Sequence, residues 1–247
     1  MMMMMQKLPG LTLLLWSLSC PLLLAAPVST DRPPNTGGRS AGSRGCPTLE
    51  IAPTSEEISE EAAALMLLAP PAAIAQTASS HPTFGWFVRD SGTWPMAFRI
   101  YRYARDRGDY DLITEVMDDT FQSAQGLNVL SLSESMPALL TDEIYLWQVE
   151  LICDPSQPSG NLFAEAEIQV VRSPPALQQH LNTVDDAAQR VTLYHEAGFW
   201  YDALGITLTT SSVSELSELR ARLLESISLN PNEAKVLRES SIQVFQR

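Results

Sequence analysis

The sequence predicts an α+β protein in which an antiparallel β-sandwich is followed by a C-terminal helical hairpin. Three observations carry that expectation. Over residues 143–153 the side chains alternate, so that Tyr145, Trp147, Val149, Leu151 and Cys153 share one face and Gln148 and Glu150 the other. Between His81 and Val171, short segments of this kind follow one another with turn residues, and no helical stripe, between them. After Pro174-Pro175 the apolar spacing changes from every second residue to the roughly 3.6-residue period of a helix.

The chain begins with a segment that does not belong to that core. Lys7 is the first charge and Asp31 the next; residues 8–24 are almost wholly apolar, and Leu24-Ala25-Ala26 ends in small residues suited to cleavage. Residues 1–26 therefore read as a signal peptide. Pro9 and Pro21 interrupt the apolar run, which makes it a poor membrane anchor, so no stable membrane insertion is expected after cleavage. Residues 27–44, with Pro33-Pro34 and Gly37-Gly38, read as a flexible leader. Over 56–68 an acidic first turn behind Ser55 predicts a helix that Pro70 and Pro71 end, and 72–80 reads as loop.

The sandwich is expected over 45–172. Pro82, Phe84, Trp86 and Val88 alternate onto one face; Met96, Phe98 and Ile100 repeat the pattern against Arg99, Tyr101 and Tyr103. A charged loop over 105–110 leads to a weaker strand at 112–117, then to strands at 126–132, 144–153 and 162–171. In the last, Leu162, Ala164, Ala166, Ile168 and Val170 face inward. Six short strands without an intervening helix suit a two-sheet sandwich, immunoglobulin-like in architecture.

Residues 173–247 read as a helical unit. Thr183 with Asp186 resembles a capping box, followed by a stripe of Ala187, Val191, Tyr194, Gly198, Tyr201 and Leu204. Ser212 with Glu215 opens a second helix whose stripe is Leu216, Leu219, Leu223 and Ile227; Asn230-Pro231 stops it, and a short last helix starts near Glu233. Phe199, Trp200 and Tyr201 are placed to pack this hairpin on the sandwich, although it could also mediate homodimerisation.

The formal charge is −13, and becomes −14 once the segment carrying Lys7 is removed. So acidic a chain argues against nucleic acid or anionic lipid as a partner. Cleavage would also remove Cys20 and leave Cys46 and Cys153 in an oxidising compartment, where two cysteines pair as a disulfide; two separate buried thiols are the alternative. A loop of about 100 residues would gain on the order of 5 kcal/mol in the chain-entropy treatment.

Residue types that do chemistry are sparse. His195-Glu196 would open a zinc-protease helix only with histidine at 199, where Phe199 stands. Glu165 and Glu167 sit two apart on an outward strand face, where nothing apolar would raise a carboxyl for acid catalysis. No Gly-x-Ser-x-Gly elbow or phosphate loop is present. No catalytic, cofactor-binding or metal-binding residue is therefore assigned. The one concentration of recognition-type residues is Arg99, Tyr101 and Tyr103, a possible binding surface for an envelope protein or a glycan.

The segments Arg44-Gly45-Cys46, His81-Pro82-Thr83-Phe84 with Trp86, Tyr145-x-Trp147 through Ile152-Cys153-Asp154, and Tyr194 to Leu204 with its Gly-Phe-Trp-Tyr-Asp-Ala-Leu core give the chain a resemblance. It resembles the bacterial family of unknown function numbered 928, found chiefly in cyanobacteria. The resemblance implies an exported protein and supports pairing Cys46 with Cys153; it brings no activity and no catalytic residue. The chain departs from the family pattern over 56–77 and 209–220. The expectation is an exported protein of the periplasm or exterior, a non-enzymatic interaction module, with a hydrolase of envelope polymers using Glu165, Glu167 or His195 as the alternative.

Overall fold

The computed structural model describes residues 37–40, 46, 62–71, 74–104, 106–210 and 214–247, all within the unit Pro33–Arg247. The signal segment 1–26, most of the leader, the 56–61 start of the predicted first helix, Arg105 and Ser212 lie outside the described residues. The described strands are β1 (Leu65–Leu67), β2 (Ala75–Thr77), β3 (Thr83–Val88), β4 (Met96–Ala104), β5 (Asp109–Val116), β6 (Gly126–Ser131), β7 (Ile144–Leu151), β8 (Leu162–Val170) and β9 (Ile242–Gln246). Between β8 and β9 come α1 (Pro175–Leu181), α2 (Ala187–Glu196), α3 (Trp200–Thr209), α4 (Ser214–Ile227) and α5 (Pro231–Glu239). The class is α+β, with a four-stranded sheet ordered β1-β3-β6-β9 and a five-stranded sheet ordered β2-β8-β7-β4-β5.

Both sheets are mixed, where the sequence predicts purely antiparallel pairing. β2 runs parallel to β8 and β9 runs parallel to β6, each at a sheet edge; the remaining pairs are antiparallel. Five helices stand where a hairpin and a short last helix are expected, α5 being that last helix. The stripe from Ala187 to Leu204 is two helices, because Gly198 takes a φ of +84° between them, a left-handed conformation that ends α2. Asp186 alone caps α2, its side chain accepting from Gln189 N at 2.8 Å, while the Thr183 hydroxyl donates to His180 O. Asn230 caps α5 through Glu233 N, with Pro231 in the first turn.

Residues 65–67 are a strand and not the end of a helix. Ala62 and the whole run from Ala64 to Ala69 are buried, which an amphipathic helix cannot offer and a strand covered on both faces can. The segment 37–40 spans the gap between the sheets: Gly38 N donates to Glu165 O of β8 at 2.9 Å, and Leu67 N of β1 donates to Gly38 O. From the same segment the Arg39 guanidinium pairs with Glu233 and donates to Ile227 O, tying α4 and α5 to the sheets.

The core is aromatic. Phe84 of β3 meets Phe98 and Trp147 of the other sheet at ring separations of 5.1 and 4.8 Å, and Trp86 stacks on Phe245 of β9. β7 alternates as the sequence predicts, Tyr145, Trp147, Val149 and Leu151 being buried and the residues between them half-buried. Tyr201 of α3 enters this core against Phe84 and accepts a 2.8 Å bond from Trp147 Nε1. Trp200 bonds Leu68 O, whereas Phe199 closes a separate small cluster with Leu177 and Leu181. At Gly126, φ is +100° and an added Cβ would stand 2.7 Å from Ser241 O, so only glycine lets β9 dock beside β6. Cys46 and Cys153 form a disulfide across 107 residues, their Cα atoms 5.1 Å apart.

Candidate binding surfaces

Arg99, Tyr101 and Tyr103 project from β4 on the face of the five-stranded sheet opposite the aromatic core. Strand register decides what they meet. Arg99 lies between Glu115 of β5 and Gln148 of β7; Tyr101 lies between Leu112 and Leu146; Tyr103 faces Tyr110. Directly paired residues share a face, so the register assembles Tyr101, Tyr103, Tyr110, Leu112, Leu146 and, at the start of β7, Ile144 into one patch. Leu112 is 51% exposed and the others are half-buried. The helices pack mainly on the other sheet and on β2. A bulge between Ile100 and Tyr101 turns Leu112, rather than Ile113, toward Tyr101.

Arg99 is the polar anchor of this face. Its Nε donates to Glu115 at 2.8 Å, and its Nη1 donates to Glu150 at 2.7 Å and to Gln148 at 3.3 Å. Burial opposes its charge, but the bonds to Glu150 and Glu115 outweigh that and hold the guanidinium above its ordinary value. Glu150 is likewise opposed by burial and held below the usual carboxylate range by Arg99 and Asn161. Beyond Tyr103 the face ends in a shallow cleft of about 430 Å³ where Arg102, Arg107, Asp111 and Glu143 meet.

The carboxylates on β8 differ from the solvated pair the sequence predicts. Glu165 is half-buried, and burial pushes its carboxyl up against the bond from Gln148, with Glu167 adding repulsion. His195 is exposed at the C-terminal end of α2. His180 is exposed as well. Both ring nitrogens of His81 are engaged: Nε2 donates to Met136 O at 3.2 Å, and Nδ1 shares a 3.1 Å bond with Ser80 Oγ.

A second concavity, of about 250 Å³, lies where residues 77–83 meet α2 and α3. Its walls come from segments more than a hundred residues apart in the chain. Asp202 in the first turn of α3 is its most distinctive member: the carboxylate accepts from Ala78 N at 2.9 Å and from Thr77. Burial pushes that carboxyl up, more than these bonds lower it. The signal in the sequence is a lone acid inside the apolar run from Phe199 to Leu204. Tyr194 stands beside it, its hydroxyl raised by burial and by the Asp202 charge, with Arg190 opposing. Among the described residues no group of three or more His, Cys, Asp or Glu could hold a metal ion.

The family model described as Domain of Unknown Function (DUF928) matches residues 39–237. The chain belongs to the DUF928 family. Two of the segments on which the resemblance rests contribute to the lining of this concavity, one through His81, Pro82 and Thr83 and the other through Tyr194, Tyr201 and Asp202. No curated protein matches the chain. Among solved structures it is similar to that titled "Structure of Astrotactin-2, a conserved vertebrate-specific and perforin-like membrane protein involved in neuronal development", at 9% identity and a TM-score of 0.26. That match covers 72% of this chain and 36% of the other. Among the described residues no helix is long and apolar enough to cross a membrane.

Proposed function

We propose that this DUF928 protein is an exported interaction module without enzymatic activity, working in the periplasm or outside a bacterial, and specifically cyanobacterial, cell. Residues 1–26 are the signal peptide of this reading, and the mature chain is a sandwich of immunoglobulin-like architecture carrying a helical appendage. The observation that carries the proposal is the outer face of the five-stranded sheet, where Tyr101, Tyr103, Tyr110, Leu112, Ile144 and Leu146 lie together beside a rigid Arg99 network. Tyrosine and aliphatic side chains held flat on a sheet lose little entropy on binding. Glu165 and Glu167 of β8 edge the patch, which suits an envelope protein with a basic rim better than an acidic glycan.

The Cys46–Cys153 disulfide supports an oxidising compartment. The test is chemical cross-linking of the purified mature chain in an envelope extract. Tyr101→Ala with Tyr103→Ala should abolish the cross-linked product while leaving the melting temperature within about 2 °C, about half a kcal/mol to 1 kcal/mol for a domain of this size. Undiminished cross-linking sinks the assignment of the face.

A hydrolase acting on envelope polymers is the second reading, and the raised carboxyl of Glu165 beside Glu167 favours it. It requires that Glu165→Gln abolish release of soluble fragments from a labelled envelope polymer; absence of release by the native chain removes it.

A further inference from the structure

We propose that the concavity between α2, α3 and residues 77–83 binds one unit of a neutral polyhydroxylated ligand, a monosaccharide ring. It is a site distinct from the sheet face. Its volume of about 250 Å³ falls below the roughly 300–1,000 Å³ of clefts that take drug-sized molecules, so the occupant is a single small ring. Six of its twelve lining residues carry hydroxyls, of which those of Thr77, Thr83, Thr209 and Tyr201 are bonded to Asp202, Ser131, Gly205 O and Trp147, and one cation, Arg190, offsets one acid, Asp202. That balance favours a neutral guest over an anion or a cation.

The two charged groups are held in place before any ligand arrives. Asp202 is fixed by Ala78 N and Thr77, and Arg190 Nη1 donates to Leu181 O at 2.9 Å and Val184 O at 3.4 Å. The remainder of the guanidinium fork is left to donate, and the Asp202 carboxylate, already accepting from Ala78 N, Thr77 and its own N–H, has room for one hydroxyl of the ring. The Tyr194 ring is braced edge-on against Phe199 at 6.3 Å, and it lines the concavity together with Arg190 and Asp202. Pro82 and Ile206 supply apolar wall for the C–H face of a sugar. His81, with both nitrogens engaged, contributes wall.

The experiment is saturation-transfer NMR on the mature, disulfide-bonded chain with glucose, galactose, mannose and N-acetylglucosamine, and with glycine and inorganic phosphate as charged probes. At least one sugar should give a saturable signal. Tyr194→Phe, which removes one oxygen, and Arg190→Gln should each weaken it by about tenfold or more. The Tyr194→Phe chain should melt as the native chain does, and Tyr101→Ala should leave sugar binding unchanged. No saturable signal from any sugar, equal binding by both cleft variants, or preferential binding of glycine or phosphate overturns the proposal.

Discussion

Removing the Tyr201 hydroxyl tests how the helices are fastened to the sheets. Trp147 Nε1 donates to Tyr201 Oη at 2.8 Å, and that oxygen faces Glu167 O at 3.4 Å; both side chains are buried. Burial drives the Tyr201 phenol far above its ordinary value, so it stays neutral and can donate as it accepts. In Tyr201→Phe the ring still packs on Phe84 and Trp147, and the main loss is that the indole N–H has no acceptor. A stranded buried donor costs about 1–3 kcal/mol. For a domain of this size each kcal/mol lowers the melting temperature by about 2–4 °C. Trp147→Phe leaves a void as well, so its cost is larger, but the double variant Tyr201→Phe/Trp147→Phe strands no indole donor. Thermal unfolding of all four chains should therefore show the double variant more stable than the two single losses added together, by about 1 kcal/mol or more. Additive losses would show that the bond does not couple α3 to β7, and the fastening would then rest on ring packing alone.

Two further perturbations separate charge from packing. Glu233 is 3% exposed and faces Arg39, so Glu233→Ala leaves a largely buried guanidinium without its counter-charge and should cost about 3–5 kcal/mol by denaturant unfolding, whereas an exposed pair would cost under about 1. Asp202 is raised by burial, so the folded state binds its proton more tightly than the unfolded state does. Stability should therefore fall as pH rises from the ordinary aspartate value near 4 through the raised folded value, and Asp202→Asn should flatten that part of a melting-temperature-against-pH profile. An unchanged profile in the variant would mean that Asp202 is solvated.

What could be read from the sequence is what depends on neighbours along the chain. β7 and β8 are legible residue by residue because one face of each is core and the other is not, which writes a period of two into Tyr145, Trp147 and Val149 and into Ala164, Ala166 and Ile168. Three edge strands are not legible. Leu65–Leu67 is buried all round, so its apolar run carries no period; Ala75–Thr77 is too short to show one; and Ile242–Gln246 is held by pairing with β6, at a place prepared by Gly126 far upstream. Arg99, Tyr101 and Tyr103 could be placed on one face by alternation, but Leu112 and Leu146 join them only through register and a bulge. The Asp202 concavity is the extreme case, since its walls meet only after α3 packs against β2 and β3.

The claim from which the compartment, the cross-link and the choice of partner all follow is export, and intact mass spectrometry of the protein from its own cells tests it most directly. Measured with and without reductant and thiol alkylation, the chain should begin near residue 27, carry no alkylated thiol before reduction, and take up two alkyl groups, at Cys46 and Cys153, after it. A chain that keeps residues 1–26 and is alkylated without reduction would contradict the account.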